Sequence, residues 1–149
     1  MADARVRDTL EHVTSIHVVD QTFIAAQREL VAPFFHDQDS WRRYWPDLVL
    51  VPYQVRGKQG IRWTVYGDLI GTMEIWLEPV MDGTVVHYFL KADKAARDSR
   101  DTIDGAQTLA LTHQEIHREW ERWKRAAKAV VFEVKAEFDR ERAPGVPPA

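Results

Sequence analysis

Apolar residues recur with two different periods along the chain, which predict strands followed by one long helix. Between residues 48 and 92 they alternate with polar residues in LVLVPYQVR, GIRWTVY, GTMEIWLEPV and TVVHYFLKA, a pattern typical of half-buried strands. The separators GKQ, GDL and DG are short enough for hairpin turns. After a charged connection over 93–105, apolar positions follow steps of three and four, which predicts a helix to about Arg142.

The N-terminal part of the chain adds a strand and two short helices. HVTSIHVVDQTFI, residues 12–24, is rich in β-branched residues and predicts the first strand. AAQRELVAPFFHD repeats apolar residues at helical spacing, which predicts a short helix over roughly 26–36. Asp37 is a favourable N-cap for a second short helix, QDSWRRYW, which Pro46 ends.

The three hairpins predicted for residues 48–92 agree on which face of the sheet is apolar. Their turns are expected at 57–59, 67–69 and 82–83. The predicted apolar pairs are Tyr53–Trp63, Val55–Ile61, Trp63–Met73, Ile61–Ile75, Ile75–Leu90 and Leu77–Tyr88. The apolar face then carries Val51, Tyr53, Val55, Ile61, Trp63, Val65, Met73, Ile75, Leu77, Val86, Tyr88 and Leu90. The other face carries Gln54, Arg62, Glu74 and Lys91, flanked by the pairs Glu78–His87 and Trp76–Phe89.

The predicted long helix has an apolar stripe that can cover this face. Its members are Ile116, Trp120, Trp123, Ala127, Val130, Val134 and Phe138. The stripe alone is compatible with a coiled-coil seam, but the sheet needs a cover and no other predicted helix is long enough. We therefore expect the helix to pack on the sheet.

The order of elements resembles the helix-grip fold of the START-like (SRPBCC) superfamily, in particular its bacterial polyketide cyclase/dehydrase-type members. The similarity is carried by VVDQTFIAAQRELVAPFFHDQDSWRRYWPDL, GIRWTVYGDLIGTMEIWLEPVMDGTVVHYFLKAD and RWKRAAKAV, within residues 16–142. It implies an α+β fold in which a curved antiparallel sheet of five to seven strands wraps around the long C-terminal helix. It also implies two short helices after the first strand, near the mouth of a cavity between sheet and helix. Gln27 and Gln38 depart from the family, whose members often have Pro there.

Composition and charge fit a single globular domain. The 149 residues are 45% hydrophobic and 29% charged, which is typical of a folded chain. A net charge of −3 disfavours a nucleic-acid partner, and the absence of cysteine excludes disulfides and thiolate chemistry. No apolar run approaches the roughly 18 residues of a membrane-spanning helix, so we expect a cytoplasmic protein without an integral membrane segment. We expect a polar lead-in at 1–12, one domain at 13–142, a tail at 143–149, and a monomer or homodimer.

The resemblance implies that a hydrophobic or amphipathic small molecule, such as a lipid or polyketide, binds in the cavity. The residues expected to line it are Trp41, Trp45, Tyr53, Trp63, Met73, Ile75, Tyr88, His113, Trp120 and Trp123. Two interpretations of the aromatic residues stay open: they surround a ligand, or they fill the core. The carboxylates of Asp20 and Asp93 are further pocket candidates whose orientation the pattern leaves open.

Two other functions fit the same sequence. A polyketide aromatase/cyclase or dehydratase needs an acid–base group, and His113 with Tyr53 or Tyr88 are the inward candidates. A ligand-free interaction module would use Trp76 and Phe89 on the outer face of the sheet. The sequence leaves open whether the protein is an enzyme.

The motif HQEIH, residues 113–117, is similar to a zinc protease signature. In that signature, HExxH, a glutamate directly follows the first histidine and faces the metal-bound water. Here Gln114 holds that position, and Glu115 points to the opposite side of the predicted helix. The sequence therefore predicts neither a metal site nor a cofactor.

Overall fold

The computed structural model describes residues 13–97 and 106–139 as one five-stranded antiparallel sheet with three helices. The strands are β1 (Ile16–Ile24), β2 (Leu48–Val55), β3 (Gly60–Gly67), β4 (Leu69–Val80) and β5 (Gly83–Lys94). The helices are α1 (Arg28–His36), α2 (Gln38–Tyr44) and α3 (His113–Asp139), and a 3-10 turn spans Gly57–Gln59. The sheet order β1-β5-β4-β3-β2 and the long C-terminal helix confirm the α+β helix-grip architecture expected from the sequence. The lead-in at 1–12, the tail at 143–149 and part of the 93–105 connection lie outside the described residues.

The hydrophobic core lies between the concave face of the sheet and the helices. β1 alternates strictly between buried and exposed side chains, as a half-buried strand does. In the centre of the sheet, β3 pairs with β4 in the predicted register, with Ile61 opposite Ile75 and Trp63 opposite Met73. The apolar face predicted for these two strands is thus confirmed, and it forms the floor of the core.

The register between β4 and β5 differs from the prediction by two residues. Met81, which has a left-handed φ of 53°, forms the turn with Asp82, so that Val80 pairs with Gly83. Ile75 consequently lies opposite Tyr88, where Leu90 was expected. Because side chains alternate with a period of two, a register shift of two residues leaves every side chain on the same face of the sheet. The inward positions of β4 and β5 are therefore those predicted.

The predicted register of β2 is wrong in its middle, because the strand contains a β-bulge. Pro52 lies opposite Trp63 and Gln54 lies opposite Arg62, which leaves Tyr53 as the extra residue. Proline has no N–H group for the ladder and is tolerated at edges and bulges. Val51 therefore lies opposite Thr64 on the outer face, contrary to the prediction. β2 is an edge strand of the sheet.

Helix α3 packs on the sheet closest to β1. Its central apolar positions are buried as the stripe predicts, with Val131 in addition, whereas Ile116 and Trp120 near its N-terminus are half-buried. Farther along, the Phe138 ring contacts Phe34 of α1 edge-on, with the ring centroids 5.5 Å apart. None of the helices in the described residues combines the length and apolar character needed to cross a lipid bilayer.

Replacing Thr112 by alanine is expected to lower the free energy of unfolding by about 1 kcal/mol, because α3 begins with a capping box. The Thr112 hydroxyl accepts from the Glu115 backbone N–H at 3.2 Å, and the Glu115 carboxylate accepts from the Thr112 N–H at 3.0 Å. Urea denaturation measures the change. Thr112→Ser keeps the hydroxyl and should retain wild-type stability, and equal losses in both variants would contradict a capping role.

Candidate functional site

Four aromatic side chains from three parts of the chain meet in the core. Trp41 on α2 packs edge-on against Trp63 of β3 at a centroid distance of 5.4 Å. Trp45, which follows α2, lies 5.8 Å from Trp63 and stacks on Tyr88 of β5 at 6.4 Å. These four residues, which we call the aromatic cluster, are all buried. Large rings in such edge-on and stacked arrangements contribute strongly to core stability.

The local structure of α2 explains how two tryptophans reach the core from one short helix. Asp37 caps the helix by accepting from the Asp39 N–H at 3.2 Å and the Ser40 hydroxyl at 2.8 Å. The Trp41 indole N–H donates to the Phe35 carbonyl oxygen at 2.7 Å, which ties α2 to α1. Asp37 is thus the N-cap that the sequence predicted.

Three polar atoms of the aromatic cluster are buried without a hydrogen-bond partner among the described residues. They are the indole nitrogens of Trp45 and Trp63 and the hydroxyl oxygen of Tyr88. Leaving such a group unpaired in a core costs roughly 1–3 kcal/mol, and native structures contain few of them. Burial, followed by the negative charge of Asp20, raises the pKa of the Tyr88 hydroxyl far above its usual range. Tyr88 is therefore a hydrogen-bond donor at any physiological pH.

An open cleft of about 500 Å³ lies beside the cluster, between α2 and β2. Leu48, Leu50 and Pro52 form its apolar side, and Asp39 contributes on the helix side. Trp41 lines the cleft, and its ring packs against Trp63 behind it. Trp41 therefore connects the cleft to Trp63, and Trp45 and Tyr88 follow behind Trp63 in the chain of ring contacts.

A charged pair connects the inner face of β1 to α3. Asp20 is 7% exposed, and its carboxylate lies 3.0 Å from the Lys128 ammonium group. Lys128 also donates to the Thr22 hydroxyl at 2.9 Å and to the Gln21 carbonyl oxygen at 3.1 Å. Asp20 lies opposite Tyr88 in the β1–β5 ladder, so this pair borders the aromatic cluster.

We expect Lys128→Met to lower the free energy of unfolding by about 2 kcal/mol. Breaking a fully buried pair costs roughly 3–5 kcal/mol, but the Lys128 side chain is 37% exposed, so solvent compensates part of the loss. Combining Lys128→Met with Asp20→Leu removes both charges and should restore most of the lost stability, as chemical denaturation would show. A double variant less stable than Lys128→Met would contradict this electrostatic explanation.

Six of the predicted pocket residues are buried, either in the aromatic cluster or in the hydrophobic core beside it. They are Trp41, Trp45, Trp63, Met73, Ile75 and Tyr88. Trp123 is also buried, and its indole N–H donates to the Glu119 carboxylate at 2.9 Å. Trp120 is half-buried and stacks on His117 at 5.9 Å, which places one of its faces outside the core.

Two of the predicted pocket residues do not face the core. Tyr53 is 55% exposed because the bulge in β2 turns it to the outer face, where it lines a groove of about 340 Å³ with Arg62 and Lys91. His113 is exposed because it is the first residue of α3, at the helix end rather than under its buried stripe. Both inward orientations predicted from the sequence are therefore wrong.

The two carboxylates of undetermined orientation have separate structural roles. Asp20 lies on the inner face, and the alternation of β1 could have placed it there, since Ile16, Val18 and Ile24 share its parity. Asp93 accepts hydrogen bonds from the backbone N–H and hydroxyl of Ser15 at 2.9 and 2.7 Å, which fixes the start of β1. Lys128, the partner of Asp20, was not predicted from the sequence, because nothing in the helical pattern marks this lysine as a residue that faces the sheet.

The outer face and the histidine motif are accounted for by local contacts. The His87 ring stacks on Trp76 at 4.3 Å and on Phe89 at 6.3 Å, so His87 separates the two rings that were predicted to pair. His117 lies 3.0 Å from Glu121 on the exposed side of α3. Within residues 13–97 and 106–139, no group of three His, Asp or Glu side chains is arranged to hold a metal ion.

No protein-family model and no curated protein matches the sequence. Several solved structures are similar, among them the Aha1 dimer from Colwellia psychrerythraea, with a TM-score of 0.52 and 12% identity over 81% of this chain and 94% of that one. Mll3558 from Rhizobium loti has a TM-score of 0.52 and 14% identity over 78% and 95% of the two chains. The di-domain ARO/CYC StfQ from the steffimycin biosynthetic pathway has a TM-score of 0.59 and 18% identity, over 97% of this chain and 57% of StfQ. Similarity at this level shows the fold alone, and the fold of this chain is the helix-grip fold.

Proposed function

We propose that the protein binds a hydrophobic or amphipathic small molecule between its sheet and its helices. The observation that carries this proposal is the set of three unpaired donors in the aromatic cluster, which reaches an open cleft through Trp41. Ligand sites are mostly apolar with a few polar groups, and the aromatic cluster likewise combines apolar surroundings with three unpaired donors. The similarity in fold to StfQ, an ARO/CYC protein, supports a cavity-binding role for this architecture.

A ligand that enters from the cleft displaces the ring of Trp41. That ring is held by its hydrogen bond to the Phe35 carbonyl oxygen and by its contact with Trp63. α2 is a short helix between Asp37 and Pro46, so a shift of Trp41 involves few backbone contacts. Trp41 is therefore the residue whose replacement should change ligand entry most directly.

Binding of N-phenyl-1-naphthylamine, a neutral apolar probe, tests the proposal. Its fluorescence should report one site per chain. Trp41→Ala should raise the dissociation constant about tenfold, because the displaced ring still contacts the bound probe and truncating an aromatic contact typically has this effect. Trp76→Ala removes a tryptophan from the outer face and should leave the constant unchanged. Equal constants in the wild type and Trp41→Ala would refute binding through the cleft.

Mass spectrometry of the native protein purified from its own host provides an independent measurement. A ligand should appear as an added mass that organic extraction removes. A preparation without added mass, together with the absence of probe binding, would refute the binding function.

The alternative function, a polyketide aromatase/cyclase or dehydratase, retains one of its three candidate acid–base residues. His113 and Tyr53 are exposed to solvent, and of the three candidates only Tyr88 faces the core. Burial raises the pKa of Tyr88, which makes it a hydrogen-bond donor and a poor proton acceptor. The arrangement therefore favours binding over acid–base catalysis.

A further inference from the structure

We infer that the ligand is a neutral molecule with a hydrogen-bond acceptor, such as a ketone or ester carbonyl, on an apolar body. This inference rests on the proposed function and adds the chemical class of the ligand. It follows from three properties of the site: the unpaired groups are donors, the neighbouring ionic groups are already satisfied, and the surrounding side chains are apolar.

The first property is the donor character of the aromatic cluster. An indole nitrogen donates one hydrogen bond and accepts none, so Trp45 and Trp63 can be satisfied only by an acceptor. Tyr88 remains protonated because it is fully buried, and it too offers an O–H group. A carbonyl oxygen has two lone pairs and can accept a hydrogen bond from any of these donors. A pure hydrocarbon would leave all three unpaired.

The second property is the electrostatic environment, which disfavours an anion. The Asp20 carboxylate is on the same inner face as Tyr88 and lies opposite it in the ladder. The Lys128 ammonium has three N–H groups, and Asp20, Thr22 and the Gln21 carbonyl oxygen accept them. A ligand carboxylate would therefore meet Asp20 and no unoccupied donor of Lys128.

The third property is the apolar surface that surrounds the donors. Met73 and Ile75 of β4 and Leu90 of β5 are buried and lie in register with Trp63 and Tyr88. An apolar ligand body gains roughly 25 cal/mol for each Å² that it buries against such side chains. The polar group of the ligand then determines its orientation rather than most of its affinity.

Three probes of the same tricyclic shape separate these contributions: 9-fluorenone, fluorene and fluorene-9-carboxylate. Equilibrium dialysis should show that 9-fluorenone binds about tenfold more tightly than fluorene, because a good hydrogen bond to a buried donor contributes that much. Fluorene-9-carboxylate should bind more weakly than either. If 9-fluorenone and fluorene bind equally, the acceptor inference is wrong while hydrophobic binding stands. If none of the three binds, the proposed function and the inference both fail.

The variant Tyr88→Phe removes one donor and keeps the ring. It should weaken 9-fluorenone binding by about tenfold and leave fluorene binding unchanged. Tyr66→Phe is the matched control, because Tyr66 lies opposite Val49 on the outer face of β3, and both affinities should be unaffected. Equal weakening of both probes by Tyr88→Phe would show loss of packing and overturn a hydrogen bond from Tyr88.

Infrared spectroscopy detects the hydrogen bond directly, and its first result requires only the wild-type protein. The carbonyl stretch of 9-fluorenone bound to the wild-type protein should lie below its frequency in hexane, as hydrogen bonding requires. Tyr88→Phe should reverse part of the shift, and Tyr66→Phe should reverse none of it. A frequency equal to that in hexane would overturn the inference, because the carbonyl would then have no donor.

Discussion

Replacement of Gly60 by alanine is expected to lower the free energy of unfolding by about 3 kcal/mol. Gly60 begins β3 with φ of 130° and ψ of −154°, a conformation that essentially only glycine adopts. A Cβ atom at this position would also clash with the backbone carbonyl oxygen of Ile75 on β4. That oxygen belongs to the β3–β4 ladder, so relieving the clash would disturb the strand pair that carries Trp63. Urea denaturation of the variant measures the loss.

Gly57, three residues earlier in the same turn, provides the matched control. Its φ of 57° is left-handed, but a Cβ atom there would have no heavy atom within 4 Å. Gly57→Ala should therefore cost only the left-handed conformation, about 1 kcal/mol. If the two alanine variants lose equal stability, crowding against β4 is not the cause of the effect at Gly60.

The face of each central strand could be predicted because side chains alternate with a period of two. The two-residue error at the β4–β5 turn changed every pair and no face, so Ile75 and Tyr88 point inward as expected. The alternation also continues through Pro52 and Tyr53 in the sequence, where the strand itself has a bulge. A bulge inserts one residue without changing the composition of the strand, so the hydrophobic pattern carries no sign of it. The inward prediction for Tyr53 failed for that reason.

The position of α3 on the sheet, like the bulge in β2, could not be predicted from the sequence. The stripe of apolar residues predicts which side of the helix is buried, but not which strand it meets. The structure brings α3 next to β1, which joins Lys128 to Asp20. His113, at the first position of the helix, is exposed. The unpaired donors of the aromatic cluster likewise depend on how rings from separate elements pack, which periodicity does not describe. The pattern thus predicts the participants of the site better than their contacts.

Trp63→Ala is expected to lower the free energy of unfolding by about 3–5 kcal/mol, the usual cost of truncating a fully buried aromatic side chain. Trp63 has no exposed surface, and it contacts both Trp41 and Trp45 of the aromatic cluster. The cavity left behind has the shape of an indole and lies against Trp41, which lines an open cleft. Added indole should therefore bind in this cavity and raise the melting temperature. At a concentration of 100 times its dissociation constant, indole should raise the free energy of unfolding by about 2.7 kcal/mol.

Trp76→Ala distinguishes this rescue from a general effect of indole. Trp76 is half-buried on the outer face, where its ring stacks on His87, so its removal leaves a surface depression instead of an enclosed cavity. Indole should leave the melting temperature of this variant unchanged, whereas that of Trp63→Ala rises with indole concentration. Because the rescue requires entry past Trp41, it also tests whether the cleft communicates with the aromatic cluster. A Trp63→Ala variant that is destabilised but insensitive to indole would show that the cluster is closed to small molecules, which would contradict the proposed route of ligand entry.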